Sequence, residues 1–146
     1  MHVYALPTKQ TLPRGNRIID EAALSALIDE HRPCVAMTED VWGIKGQAGK
    51  SMFTFGEAYG AIVTSCAFKR LPLKKVNPKE WQKEIIPGIK SREELKKASI
   101  AWARENYPDA ILIPPRGRVA DHNRADAVCI CHYHRIQRGE FARGSA

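Results

Sequence analysis

Asp121-His122-Asn123-Arg124-Ala125-Asp126-Ala127-Val128-Cys129-Ile130 reads as the opening of a helix, and the rest of the chain is best read outward from it. An aspartate at a cap position followed by helix-compatible residues predicts a helix from near Asp121 to about Gln137. His122 and Asp126 stand four residues apart and share a face in the first turns. Asp126 adjoins the apolar run Ala127-Val128-Cys129-Ile130, where a carboxylate is costly unless it is paired or bound to metal. Two carboxylates and an imidazole near one helix end suit a hard cation such as Mg²⁺ or Mn²⁺, which also needs ligands from another element. Each residue has a plainer reading too. Asp121 serves equally well as an N-cap, and Asp126 can face solvent or pair with Arg124.

Upstream, helices alternate with short apolar runs. Val3 to Leu6 is expected to be a strand ended by Pro7, with a basic Pro/Gly-containing loop from there to Ile19. Asp20 caps a helix to about His31, in which Ala23, Leu24, Leu27 and Ile28 recur at helical spacing. Cys34 to Glu39 is a short apolar run ending in a carboxylate and reads as a buried strand. A glycine-bearing loop from Asp40 to Lys50 leads to a helix capped by Ser51 and reaching about Lys69. Its Gly56 and Gly60 offer a smooth face to a neighbour. Leu73 to Val76 is a further strand, Asn77-Pro78-Lys79-Glu80 starts a helix, and Ser91 opens another that runs to Tyr107. Ala110 to Ile113 is a strand or an apolar connector. The alternation predicts a mixed α/β sheet domain. Ligand sites in such sheets gather at strand ends, which makes Glu39 the natural partner of the Asp121–Asp126 helix, although a salt bridge to a lysine would also occupy it.

The 146 residues suffice for one domain, with no repeat or linker, and 44% are hydrophobic against 27% charged. No apolar run approaches the ~20 residues that span a bilayer, and the N-terminus lacks a signal-peptide pattern. A cytoplasmic protein without a membrane partner is the expectation. The net charge of +7 is uneven: residues 1–68 hold 6 Lys/Arg against 7 Asp/Glu, and residues 69–146 hold 17 against 9. A basic half suits a polyanion, since bound Lys and Arg release condensed counterions from nucleic acid. Cys34, Cys66, Cys129 and Cys131 lie in apolar segments and read as buried free thiols. Cys129-Ile130-Cys131-His132-Tyr133-His134 lacks the second ligand pair of a zinc knuckle, so these cysteines are assigned to the core and the histidines to the surface.

The order of several blocks resembles the RuvC-like Holliday junction resolvases (crossover junction endodeoxyribonucleases) of bacteria and phages. The blocks are Val35-Ala36-Met37-Thr38-Glu39-Asp40-Val41, Gly46-Gln47-Ala48-Gly49-Lys50-Ser51-Met52-Phe53-Thr54-Phe55-Gly56, Pro78-Lys79-Glu80-Trp81, Lys97-Ala98-Ser99-Ile100, and Asp121-His122-Asn123-Arg124-Ala125-Asp126-Ala127. No single block is decisive; their order from about residue 33 onward is. The resemblance implies an RNase H-like mixed sheet flanked by helices, over a single domain 1–146. It implies a homodimer that cuts four-way or other branched DNA in recombination and repair, using Mg²⁺ or Mn²⁺ to activate water and to stabilise the leaving oxygen. Matched residue by residue, Glu39 is the strand-end carboxylate, Asp126 the helix carboxylate, and His122 or Asp121 the remaining helix ligand, with His122 preferred on geometry. Lys97 falls where the family carries a lysine near the scissile phosphate, and Lys83 and Arg124 are further phosphate contacts. Trp42 falls where an aromatic can stack on unpaired bases, or else it anchors a core or a dimer.

The family opens on a strand bearing an Asp, followed by a second strand. Here no Asp precedes Asp20, and the chain starts at what resembles the third strand. An N-terminally incomplete nuclease domain is therefore expected. The rival expectation is a catalytically inactive module of the same fold that binds branched DNA.

Overall fold

The structure, a computed structural model, describes residues 6–10, 17–40, 49–115 and 117–140. The elements are, in order, β1 (Thr8–Gln10), β2 (Arg17–Ile19), α1 (Glu21–His31), β3 (Ala36–Glu39), α2 (Gly49–Phe68), β4 (Leu73–Val76), α3 (Pro78–Ile85), α4 (Arg92–Asn106) and α5 (His122–Gln137). The chain is thus mixed α/β, as the alternation predicted. It divides into two compact units, Leu6–Lys75 and the part from Val76 onward.

In the first unit, β1 and β2 form an antiparallel hairpin in the register Thr8↔Ile19, Lys9↔Ile18 and Gln10↔Arg17. A loop was expected there. Three-residue strands are too short to alternate visibly, and what holds them is polar: Arg17 Nε donates to Thr8 Oγ1 at 2.8 Å, and the Asp20 amide donates to the Pro7 carbonyl at 2.9 Å. The strand expected over Val3 to Leu6 lies outside the described residues except for Leu6, which is in no strand. Asp20 caps α1 by accepting from the Ala23 amide at 3.1 Å. β3 and β4 pair in a second two-stranded sheet, and the Ala36 amide donates to the Pro72 carbonyl. Helix α2 starts at Gly49, two residues before the expected cap, and packs on α1 and β2. Only Ser65 and Cys66 of α2 are buried, while Met52, Phe53, Phe55 and Phe68 are exposed.

The second unit holds α3, α4 and α5. Asn77 caps α3 through the Lys79 amide with Pro78 in the first turn, as read from the sequence. Ser91 caps α4: its Oγ accepts from the Glu94 amide at 3.2 Å and its hydroxyl donates to Glu94 Oε2 at 2.8 Å. Both α3 and α4 pack on α5. Ala103, Leu112, Ala125 and Val128 are buried together, with Ile100, Trp102, Tyr107, Ala110 and Ala120 packed around them. Trp81 is 1% exposed and is the bulkiest of the fully buried side chains. Ala110 to Ile113 is a connector and not a strand, with Leu112 turned inward between exposed Ile111 and Ile113.

Two assignments need correction. All four cysteines are free, but only Cys66 and Cys129 are buried; Cys34 and Cys131 are exposed. Cys34 precedes β3 and is not covered by it, and Cys131 falls on the outer side of α5. The histidines are deeper than expected, His134 being buried and His132 half-buried. His132 is enclosed by aromatics: Tyr107 Oη lies 2.7 Å from His132 Nδ1, and the Trp102 ring meets the imidazole edge-on at 4.9 Å.

Candidate metal and nucleic-acid site

Helix α5 begins at His122 because Asp121 caps it. Asp121 Oδ1 accepts from the Asn123 amide at 2.9 Å and from Asn123 Nδ2 at 3.0 Å. The cap is therefore in use, and one oxygen of Asp121 is committed to it. His122 and Asp126, one turn apart, are both half-buried on the opening turns. The charge of Asp126 is felt by the thiol one turn further on: burial first, and then this carboxylate, push Cys129 up to about 12. Cys129 is thus a neutral thiol in the core. A helix amino end also favours anions, whether carboxylates or phosphates, through its dipole and open amides.

The donor types on α5 fit a hard cation, but their number does not complete a coordination sphere. Among the described residues no three His, Cys, Asp or Glu side chains converge to hold a metal ion. Glu39 ends β3 in the first unit and is half-buried, whereas Asp121, His122 and Asp126 belong to the second.

Lys97 is exposed on α4, one turn before core-facing Ile100, and Lys83 is exposed on α3. Trp42 lies outside the described residues. Arg124 is only 7% exposed, and its Nη1 donates to the Ile111 carbonyl at 2.9 Å. Beside that bond the Asp121 amide donates to the Leu112 carbonyl, also at 2.9 Å. The connector before α5 is thereby fastened to the first turn of the helix. Sequence reading did not find this tether, since an arginine beside carboxylates gives no sign of a backbone partner ten or more residues earlier.

No family model matches the sequence. Over 113 residues, 77% of the chain, it is 29% identical to the crossover junction endodeoxyribonuclease RuvC of Endomicrobium trichonymphae. The chain spans about half the length (55%) of that curated relative. The structure superposes on Thermus thermophilus RuvC with a TM-score of 0.56 at 16% identity, covering 92% of this chain and 86% of the other. The chain is similar to RuvC in sequence and in fold. A second likeness, with a TM-score of 0.57 at 15% identity, is to T. thermophilus RuvC in complex with a Holliday junction substrate; it covers 82% of this chain and 67% of that one. The expected mixed α/β fold is therefore the one observed, and the RuvC structures share it. In this RuvC-like chain, no helix among the described residues is long and apolar enough to cross a membrane.

The aromatic enclosure of His132 gives a pH expectation for the second unit. Burial, with Arg135 adding to it, holds the imidazole below its usual value of 6.5. A base depressed in the folded state contributes fully above the unfolded pKa, and its contribution is lost as pH falls from about 6.5 through the folded value. Among the groups on it are Tyr107 and Trp102 from the α4 side and Arg135 from its own helix. The thermal midpoint of the wild type should therefore drop between pH 7.5 and 5, measured by circular dichroism. His132→Phe, which takes up no proton, should show a shallower drop; parallel curves would remove His132 as the cause.

Proposed function

We propose that the chain is the nuclease portion of a structure-selective endonuclease that cuts Holliday junctions or other branched DNA by metal-dependent phosphodiester hydrolysis. The observation that carries this reading is the pair His122 and Asp126 on the first turns of α5, in a chain whose fold and sequence are both RuvC-like. Asp126 and His122, with Glu39 from β3, would hold Mg²⁺ or Mn²⁺, and Asp121 would chiefly cap the helix. When bound, the metal supplies a hydroxide-like nucleophile and charge neutralisation at the leaving oxygen.

The protein's own groups orient and screen. Exposed Lys97 and Lys83 offer cations to the DNA phosphates. Trp42 is the proposed stacking partner for an unpaired base. Arg124 acts from beneath the surface by holding the connector against α5. The units Leu6–Lys75 and Val76 onward would be parts of one RNase H-like domain. Dimerisation is assigned to α2, whose exposed Gly56 and Gly60 have open space around them and whose Phe53 and Phe55 are exposed.

The test is incubation of the purified chain with a labelled four-way junction and a linear duplex of matched sequence, in Mg²⁺ or Mn²⁺. Junction-selective cleavage is expected. Selective binding with no cleavage in either metal would identify an inactive branched-DNA-binding module instead, a reading favoured by the incomplete ligand set among the described residues. Equal affinity for junction and duplex would overturn both.

A further inference from the structure

The segment between α4 and α5 exposes apolar side chains immediately before the proposed ligands. Val119 is 76% exposed and Ile113 44%, and between them Arg118 is exposed as well. Such side chains on a floppy loop would mean little, but this one is held at both ends. On the near side Leu112 is buried among Ala103, Ala125 and Val128, and the Ile111 and Leu112 carbonyls accept from Arg124 and from the Asp121 amide. At the tip the Gly117 amide donates to the Pro114 carbonyl at 2.8 Å, closing a tight turn. A Cβ on Gly117 would lie 2.7 Å from Pro114 Cγ and 3.3 Å from its carbonyl oxygen, so the turn closes this tightly only around a glycine. Val119 is two residues from Asp121, which keeps their Cα atoms within about 7.6 Å.

We propose that Ile113 and Val119, with Arg118 beside them, form a preorganised wedge that covers the exposed face of a base pair at the branch point of the DNA. The proposal rests on the reading of the chain as a branched-DNA nuclease. Apolar side chains inserted at base steps normally incur the cost of unstacking them. At a branch point a pair end is already open, so an apolar surface gains contact there without that cost, whereas linear duplex offers no such face. Charge complementarity selects DNA over an apolar protein partner: exposed Arg118 adjoins Val119 in the chain, and residues 69–146 carry 17 Lys/Arg against 9 Asp/Glu. Because the turn is fixed to α5, the wedge would also set where the strand passes the carboxylates.

The experiment uses the full chain in EDTA, so that nothing is cut. A four-way junction carrying 2-aminopurine at the branch point and a linear duplex are titrated with wild type, Ile113→Ser/Val119→Ser, and Val119→Ser alone. The double variant should bind the junction about tenfold more weakly and the duplex within about twofold. It should also lose the fluorescence change at the branch point. Val119→Ser, at the more exposed position, should show part of both effects even if the double variant folds poorly. Unchanged junction affinity and fluorescence in a folded variant would overturn the wedge. So would a shift from dimer to monomer on gel filtration with junction preference retained, which would assign the patch to a second copy of the chain. A wild type without junction preference would remove the functional reading itself, so the two failures are distinguishable.

Discussion

Asp126→Asn is expected to reduce metal-dependent cleavage of a four-way junction by at least about a thousandfold while changing junction affinity by less than about threefold. The substitution keeps the volume of the side chain on the opening turns of α5 and removes only its charge. A neutral amide is a poor ligand for Mg²⁺ or Mn²⁺, and no other carboxylate on that face of the helix replaces it. Asp121→Asn provides the internal comparison. Asparagine caps helices as well as aspartate does, so it preserves the bond to the Asn123 amide while removing the charge. If Asp121 is chiefly a cap, this variant still cuts, and His122→Ala loses far more. Loss of junction binding in Asp126→Asn would make Asp126 a structural residue, and equal losses in the two aspartate variants would return Asp121 to the ligand set. Single-turnover rates and fluorescence anisotropy on the same preparations decide between these outcomes.

What sequence made legible rests on local rules, although Ser51, read as the cap of α2, lies inside that helix. Asp20, Asn77, Ser91 and Asp121 all cap the helices they were read to cap, because side-chain acceptors before an apolar-periodic run answer a need of the backbone that is settled within four residues. The position of His122 and Asp126 on one face followed from helix pitch alone. The missed features are non-local. The β1–β2 hairpin is held by a Thr8–Arg17 side-chain bond and has no hydrophobic alternation to announce it. The depth of His132 depends on Trp102 and Tyr107, 25 to 30 residues earlier. A run such as Cys129 to His134 shows which residues share a turn, but which side of that turn meets α4 is decided by the partner helix. The metal site divides in the same way. Its α5 half was readable from spacing, while its union with Glu39 rested on the strand-end rule and the family resemblance and belongs to the proposal.

Arg124 shows how this division alters a residue's expected behaviour. By sequence it sits between two carboxylates in a basic half and invites a phosphate. In the structure it is nearly covered, and its guanidinium reaches the Ile111 carbonyl. Arg124→Leu should therefore destabilise the protein by about 2–4 kcal/mol, since it removes a charge-assisted bond and unfastens the connector from α5. Arg124→Lys should lose about half as much: an ammonium retains a donor but not the planar fork that fits this site. Urea midpoints give both values. The salt dependence of junction binding separates this from a phosphate contact, because removing one such contact lowers the slope of log affinity against log salt by about one. An Arg124 that works from beneath leaves that slope unchanged among folded molecules. Cleavage should fall beyond what the folded fraction explains, because the turn carrying Asp126 has lost its brace. A fully stable Arg124→Leu with a reduced salt slope would place the guanidinium on the DNA instead.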